Sequence, residues 1–290
     1  MKINDRITHQ SPFISLEYFP PKEREDWPAF FQVVSRLARL NPLFASVTYG
    51  AGGSTQDATL EIVSRMQQEH GLETMAHLTC VGAQPDRLRR FLDDLSQAGV
   101  NNVLALRGDP PKEIPPEGIT ESPLHFASDL VSFVRASHPA MGIGVAAYPE
   151  AHPEANNPES DLGYLKLKLD LGGEFAITQL FFDNAHYFDF VARARARGIT
   201  KPIIPGILPV VSLKVIQRIV SLCGASLPPA FMAELEEADR SGGAAAVQRA
   251  GIAHARKQAE GLLAGGAPGV HLYTLNRAEA ILEIADGLLR

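Results

Sequence analysis

The sequence predicts one (β/α)8 barrel. Three observations carry that prediction. Eight short apolar, β-branched runs recur along the chain, stretches of helical periodicity separate them, and 290 residues suit one closed barrel. Strand–helix alternation implies a parallel sheet covered by helices. Near-continuous apolar strands suit a sheet buried on both faces. An open doubly wound sheet is the structural alternative.

The runs are Ile14–Tyr18, Phe44–Tyr49, Met75–Cys80, Asn102–Leu106, Ile143–Tyr148, Phe175–Phe181, Pro202–Ile207 and Gly269–Tyr273. Between the second and third, Asp57–His70 places Leu60, Val63 and Met66 on one stripe, with Ser54 and Thr55 able to cap the start. Between the third and fourth, Pro85–Ala98 repeats the pattern with Leu88, Phe91, Leu92 and Leu95, and Gly99 follows it as Gly198 follows the sixth helix. The seventh connection, from Val211 to Pro268, is the longest. Its Pro228-Pro229 and Ser241-Gly242-Gly243 breaks predict more than one helix there. No composition shift marks a linker, so residues 1–290 read as a single domain.

Hydrophobic residues make up 45% and charged residues 21%, which argues for a globular chain. The net charge is −6 with no Lys/Arg block, which gives no reason to expect nucleic acid or an anionic membrane as partner. Anionic small molecules stay open, because a local pocket of cations and backbone N–H groups can hold them. Cys80 and Cys223 are far apart and neither lies in a CxxC, which disfavours a disulfide framework or a zinc site and points to a reducing, cytoplasmic compartment. The polar opening MKINDRITHQSPF lacks the apolar core of a signal peptide. No apolar run approaches the roughly 20 residues that span a bilayer.

Barrel chemistry collects where strands end on the C-terminal face. The proposed strand ends here carry Glu17, then Thr48-Tyr49 with the loop Gly50–Gly53, His77 and Thr79, Arg107-Gly108-Asp109, Tyr148 with Glu150 and His152, Gln179, and Tyr273-Thr274 with Asn276-Arg277. Glu17 sits inside ISLEYF, where burial raises a carboxyl pKa and suits a general acid. The competing reading is a buried salt bridge to an Arg or Lys on a neighbouring strand. His77 alone reads as a hydrogen-bonded core histidine, and Asp109 could equally cap a turn. The Gly50–Gly53 loop is not GxGxxG, so it does not argue for a dinucleotide fold. Lys166 and Lys168 either bind phosphates or are solvated. No HExxH, Cys/His pair or GxSxG is present, so no metal site and no serine hydrolase is expected.

Eight segments together resemble the methylenetetrahydrofolate reductase family: SLEYFPPK (15–22), SVTYGAGGS (46–54), HLTC (77–80), LALRGDPP (104–111), VAAYPEAHPEA (145–155), ITQLFFD (177–183), IPGILPV (204–210) and HLYTLNRAE (271–279). They span nearly the whole chain and resemble the short bacterial form that carries the catalytic domain alone. The resemblance implies a barrel holding FAD at the strand ends, a homo-oligomer, and ping-pong reduction of 5,10-methylenetetrahydrofolate by NADH or NADPH. It implies that Glu17 is the general acid, that Asp109 bonds the pterin near the flavin, that Gln179 meets nicotinamide and folate in turn, and that Arg277 belongs to the substrate site. It also implies FAD contacts from Thr48, Tyr49, His77, Arg107, Gly108, Asp109, Ala127, Tyr148, His152, Ala155, Asp161, Tyr164 and Lys168. Two positions depart from the family pattern: Tyr164 stands where bacterial members have Asn, and Leu167 where they have Arg. A lost guanidinium removes a bidentate phosphate contact. Two alternatives stay open. One is the same reduction fed by an electron-donor protein such as ferredoxin or a flavoprotein subunit. The other is a flavin-free folate-binding barrel, against which the Glu17/Asp109/Gln179 set argues.

Overall fold

The computed structural model describes residues 1–48, 56–109 and 122–289. Parallel strands form its wall: β1 Phe13–Tyr18, β2 Ala45–Val47, β3 Thr74–Thr79, β4 Asn102–Leu106, β5 Gly142–Ala147, β6 Phe175–Thr178, β7 Ile203–Ile204, β8 Gly206–Ile207 and β9 Gly269–Tyr273. The order is β7-β6-β5-β4-β3-β2-β1-β9-β8. The two ends are halves of one strand. Pro205 has no N–H to give the ladder, so the expected Pro202–Ile207 run divides there. Its first half pairs with β6 and its second with β9, while Pro205 O accepts from His271 N at 2.9 Å. That bridge closes the barrel.

The helices are α1 Ile3–His9, α2 Trp27–Ala38, α3 Gln56–His70, α4 Pro85–Gln97, α5 Ala127–Ser137, α6 Pro158–Asp170, α7 Asn184–Ala196, α8 Leu213–Cys223, α9 Pro229–Ala264 and α10 Ala278–Ala285. The long seventh connection yields α8 and α9, and α9 is interrupted at Gly243, where φ is +59°. Gly99 and Gly198 end their helices at φ +81° and +78°, the left-handed region open to glycine. Ser54, Thr55 and the Gly50–Gly53 loop lie outside the described residues. Strand β6 is shorter than its apolar run, because Leu180–Phe182 leave the sheet to pack under the seventh connection and other elements.

Alternation along each strand sorts two cores. Ile14, Leu16 and Tyr18 face outward to the helices with Ala45, Val47, Ala76, Leu78, Val103, Val270 and Leu272. Phe13, Phe44, Met75, Leu104, Phe175, Ile177 and Ile204 face inward. Ile3 and Ile7 of α1 join that inner cluster, so α1 caps the N-terminal end of the barrel. Asn102 fastens it: Oδ1 accepts from Ile3 N at 2.9 Å and Nδ2 donates to Met1 O at 3.0 Å. The polar opening sequence concealed this helix, whose apolar residues are only Ile3 and Ile7, four apart. Above the apolar floor the inward positions turn polar, at Ser15, Glu17, Ser46, His77 and His271.

Candidate active site

Strand register builds the centre. Ser15 stands opposite His271, Glu17 opposite Tyr273, and Glu17 opposite Ser46 on the other side. Glu17 Oε2 thereby receives three neighbours: His77 Nε2 at 3.1 Å, His271 Nε2 at 3.3 Å and the Ser46 hydroxyl, donating at 3.3 Å. Glu17, His77 and His271 are all buried. The approach of His77 is electrostatic; its Nε2 lacks a well-directed hydrogen bond and is left without a partner. The backbone of Glu17 is held as well, since Thr274 N and Thr274 Oγ1 both donate to its carbonyl, at 3.0 and 2.6 Å.

This corrects the expectation for Glu17. Burial alone raises its carboxyl, but the charge of His77, the hydrogen bond of His271, the close contact of the His77 ring and the charge of His271 outweigh it and hold the pKa at about 2. The neighbours are histidines, not the Arg or Lys of a salt bridge.

A cavity of about 550 Å³ is lined by Arg107, Phe126, Ala127, Ser128, Asp129, Tyr148, His152, Glu154, Ala155, Asp161, Tyr164, Leu167 and Lys168. It opens between the ends of β4 and β5, the start of α5 and one face of α6. Lys168 Nζ donates to Ala146 O at 2.6 Å, and burial lowers its pKa to about 8 against the opposing charge of Asp161. Burial also raises Asp161 and pushes the Tyr148 phenol up to about 12. Arg107 forks onto Glu154, Nη1–Oε2 at 2.5 Å and Nη2–Oε1 at 3.0 Å. Phe126 and Tyr164 are exposed at the mouth. A helix N-terminus, a lysine, an arginine fork and exposed aromatic faces fit an extended anionic ligand with flat rings.

Other expected residues fall around the rim. Thr48 directly follows β2, and its carbonyl accepts from the Thr59 hydroxyl at 3.3 Å. Gly108 has φ +83°, and a Cβ there would stand 2.8 Å from Thr79 Cβ, so glycine is required. Asp109 is exposed, and its charge reaches Arg107 and Tyr148. Gln179 Oε1 accepts from Leu180 N at 2.9 Å, leaving its amide NH2 without a partner among the described residues. Arg277 is exposed at the start of α10, just after Leu275 and Asn276, both at positive φ. Tyr49 lies outside the described residues. Lys166 pairs with Asp170 at 2.6 Å on the outer face of α6, the solvated alternative.

A family model described as methylenetetrahydrofolate reductase matches residues 2–288. The chain belongs to this family. It is 39% identical over 275 residues to the 5,10-methylenetetrahydrofolate reductase of Escherichia coli K12, covering 95% of this chain and 90% of that protein. It is also 39% identical to methylenetetrahydrofolate reductase (NADH) 1 of Arabidopsis thaliana, covering 99% of this chain and 51% of that protein. The chain thus spans about half the length of the plant relatives it matches. Among solved structures, a Clostridium thermocellum protein described as binding two copies of 5-methyl-5,6,7,8-tetrahydrofolic acid superposes with a TM-score of 0.71 at 17% identity, covering 99% of both chains. An oxaloacetate acetylhydrolase superposes with a TM-score of 0.55 at 10% identity, covering 100% of this chain and 85% of that one. At these identities the likeness extends to the barrel fold.

Within the family fold, the residues that sequence reading passed over are His271, Ser15, Ser46 and Glu154. The parity of the strands held the signal for three of them. His271 is two before Tyr273, Ser15 two before Glu17, and Ser46 two before Thr48, so each shares the inward face of a rim residue already singled out.

Proposed function

We propose that this chain reduces 5,10-methylenetetrahydrofolate to 5-methyltetrahydrofolate, with FAD as cofactor and NADH or NADPH as reductant. The observation that carries the reading is the buried Glu17 carboxyl, ringed by His77, His271 and Ser46, in a barrel that also carries, at the ends of β4 and β5, a cavity whose Lys168 and Arg107 suit an anionic ligand. Family membership supplies the substrate class.

FAD, when bound, carries a hydride from the nicotinamide to the one-carbon unit of the folate. Lys168, Arg107 and the first turn of α5 would hold its diphosphate, and Phe126 and Tyr164 offer faces to its adenine. Gln179 presents a carboxamide to whichever of nicotinamide or folate is present. Asp109 and Arg277 meet the folate from opposite sides of the rim. Glu17 delivers a proton to folate N10. That opens the imidazolidine ring to a 5-iminium cation, a far better hydride acceptor than the neutral aminal. The barrel wall keeps water from the cation.

An absorbance spectrum followed by anaerobic titration with NADH tests the reading. Flavin bands that bleach with NADH and return on adding methylenetetrahydrofolate are the expected result. Bands that do not bleach would assign the electrons to a donor protein. A protein that stays colourless with added FAD would overturn the flavin role.

A further inference from the structure

The hydrogens inside the barrel can be counted. The Ser15 hydroxyl lies 3.4 Å from Val270 O, which it reaches as donor, and 2.9 Å from His271 Nδ1. A hydroxyl has one hydrogen. If Ser15 gives it to Val270 O, it accepts from Nδ1, so Nδ1 carries a hydrogen. His271 Nε2 lies 3.3 Å from Glu17 Oε2. With Nδ1 already protonated, that contact is a hydrogen bond only if a further proton stands between nitrogen and oxygen. An ionised glutamate facing a neutral Nδ1–H imidazole would set lone pair against lone pair. With Ser15 donating to Val270 O the pair therefore holds one proton beyond that state, whereas with Ser15 donating to Nδ1 the ring is neutral and its one hydrogen lies on Nε2.

We propose that His271 is a positioning residue for folate reduction: with Ser15 fixing its tautomer, it stores the proton that Glu17 delivers. This rests on the folate-reducing reading above. In the resting site the proton sits on His271 Nε2 and Glu17 is a carboxylate, which agrees with the low carboxyl pKa. When folate arrives, the Nε2–H bond breaks and a Glu17 O–H bond forms. The O–H bond then breaks as N10–H forms, and the electrons of the C–N10 bond leave with N10. His271 is left neutral with its Nδ1–H intact. The bound cofactor would supply the hydride that completes the reduction, and His271 regains its proton from solvent once product leaves.

The surroundings suit this task. His271 is fully buried, stacks on Phe44 at 5.7 Å and meets the edge of Tyr273 at 5.4 Å. Titratable groups face the pair from two other directions. His77 on β3 approaches the same Glu17 oxygen, and Tyr273 on β9 donates its hydroxyl to Thr178 O and is raised by burial. No lysine or arginine among the described residues figures in the titration of Glu17, so the imidazoles are its counter-charges. Beneath them Phe13, Phe44 and Phe175 close off water.

The test is nitrogen NMR of the folate-free holoenzyme labelled with 15N-histidine, with the His271 signal identified by its loss in His271→Asn. The expected result is a hydrogen on Nδ1 at every pH and a second proton on Nε2 that titrates. A neutral ring with a bare Nδ1 overturns the proposal. In parallel, the folate half-reaction is followed against pH in Ser15→Ala, a change small enough to preserve the barrel. Without Ser15 to fix the tautomer, the alkaline limb of the profile should move down by about one pH unit, a rate loss of about tenfold near pH 8 that recovers toward pH 6. A limb that does not move, or that moves up, overturns the role of Ser15 and His271. Wild-type enzyme that fails to reduce methylenetetrahydrofolate would sink the functional reading instead, while the NMR result still reports on the proton.

Discussion

Glu154 occupies the guanidinium fork of Arg107 at the mouth of the cavity, with two hydrogen bonds of 2.5 and 3.0 Å. Its carboxylate stands where a phosphate would bind, and the hydrogen bond from Arg107 lowers its pKa. An anionic ligand therefore has to displace Glu154 to reach Arg107. Glu154→Gln should tighten FAD binding by a few-fold and Arg107→Ala should weaken it by about tenfold or more, since hydrogen bonds to charged groups contribute about 1.5–3 kcal/mol. Flavin fluorescence quenching measures both. Equal weakening by the two variants would mean that Glu154 positions Arg107 and does not compete with the ligand.

The second prediction concerns Glu17. Glu17→Gln keeps the shape and removes the acid, so folate reduction should be abolished while flavin reduction by NADH stays nearly intact. Stopped-flow measurement of the two half-reactions separates them. Loss of both to the same degree would remove Glu17 from its assigned role.

Lys168 gives a pH dependence. Its ammonium has a pKa of about 8 in the free protein, and a bound diphosphate would raise it. FAD affinity should then be constant below about pH 8 and fall as pH rises through that value toward the pKa of the bound state. Lys168→Met should bind more weakly and show a flat profile. The fold responds with the opposite sign. The folded pKa lies below the ordinary 10.5, so the unfolded chain holds more protons between about 8 and 10.5, and the ligand-free protein gains stability as pH rises across that window. Titrations and urea melts at several pH values check both.

Closure of the barrel can be tested at Gly206. A Cβ there would come within 2.7 Å of the Tyr273 hydroxyl and crowd Thr178 O, the two groups that hydrogen-bond beside the split seventh strand. Gly206→Ala should cost about 1–3 kcal/mol in urea unfolding, the usual range for overpacking. An unchanged midpoint would mean that the seam has room.

The fold was legible because its signals are local. Eight apolar runs announced eight strands, and Gly99 and Gly198 marked helix ends that only left-handed backbone completes. Two features escaped for physical reasons. A strand break at Pro205 depends on which neighbours the N–H would have met, and α1 needs only Ile3 and Ile7 to find the inner core. The candidate site was legible in the sequence only as residues standing at strand ends. It was not legible one layer deeper: whether Glu17 meets an arginine or two imidazoles depends on register between β9 and β1, residues that lie more than 250 apart in sequence. The sign of the Glu17 pKa shift went with that register.

Helix α1 turns the barrel from a tube into a cup. Whatever enters must leave by the same rim, so under the proposed function donor and acceptor would have to take turns above Glu17, with no escape for product through the floor while a new substrate waits. The same seal governs isotope exchange. Protons deep in the cup trade with solvent only in the intervals when the rim is clear, so deuterium should reach the His271 ring slowly in the liganded protein and quickly in the free one.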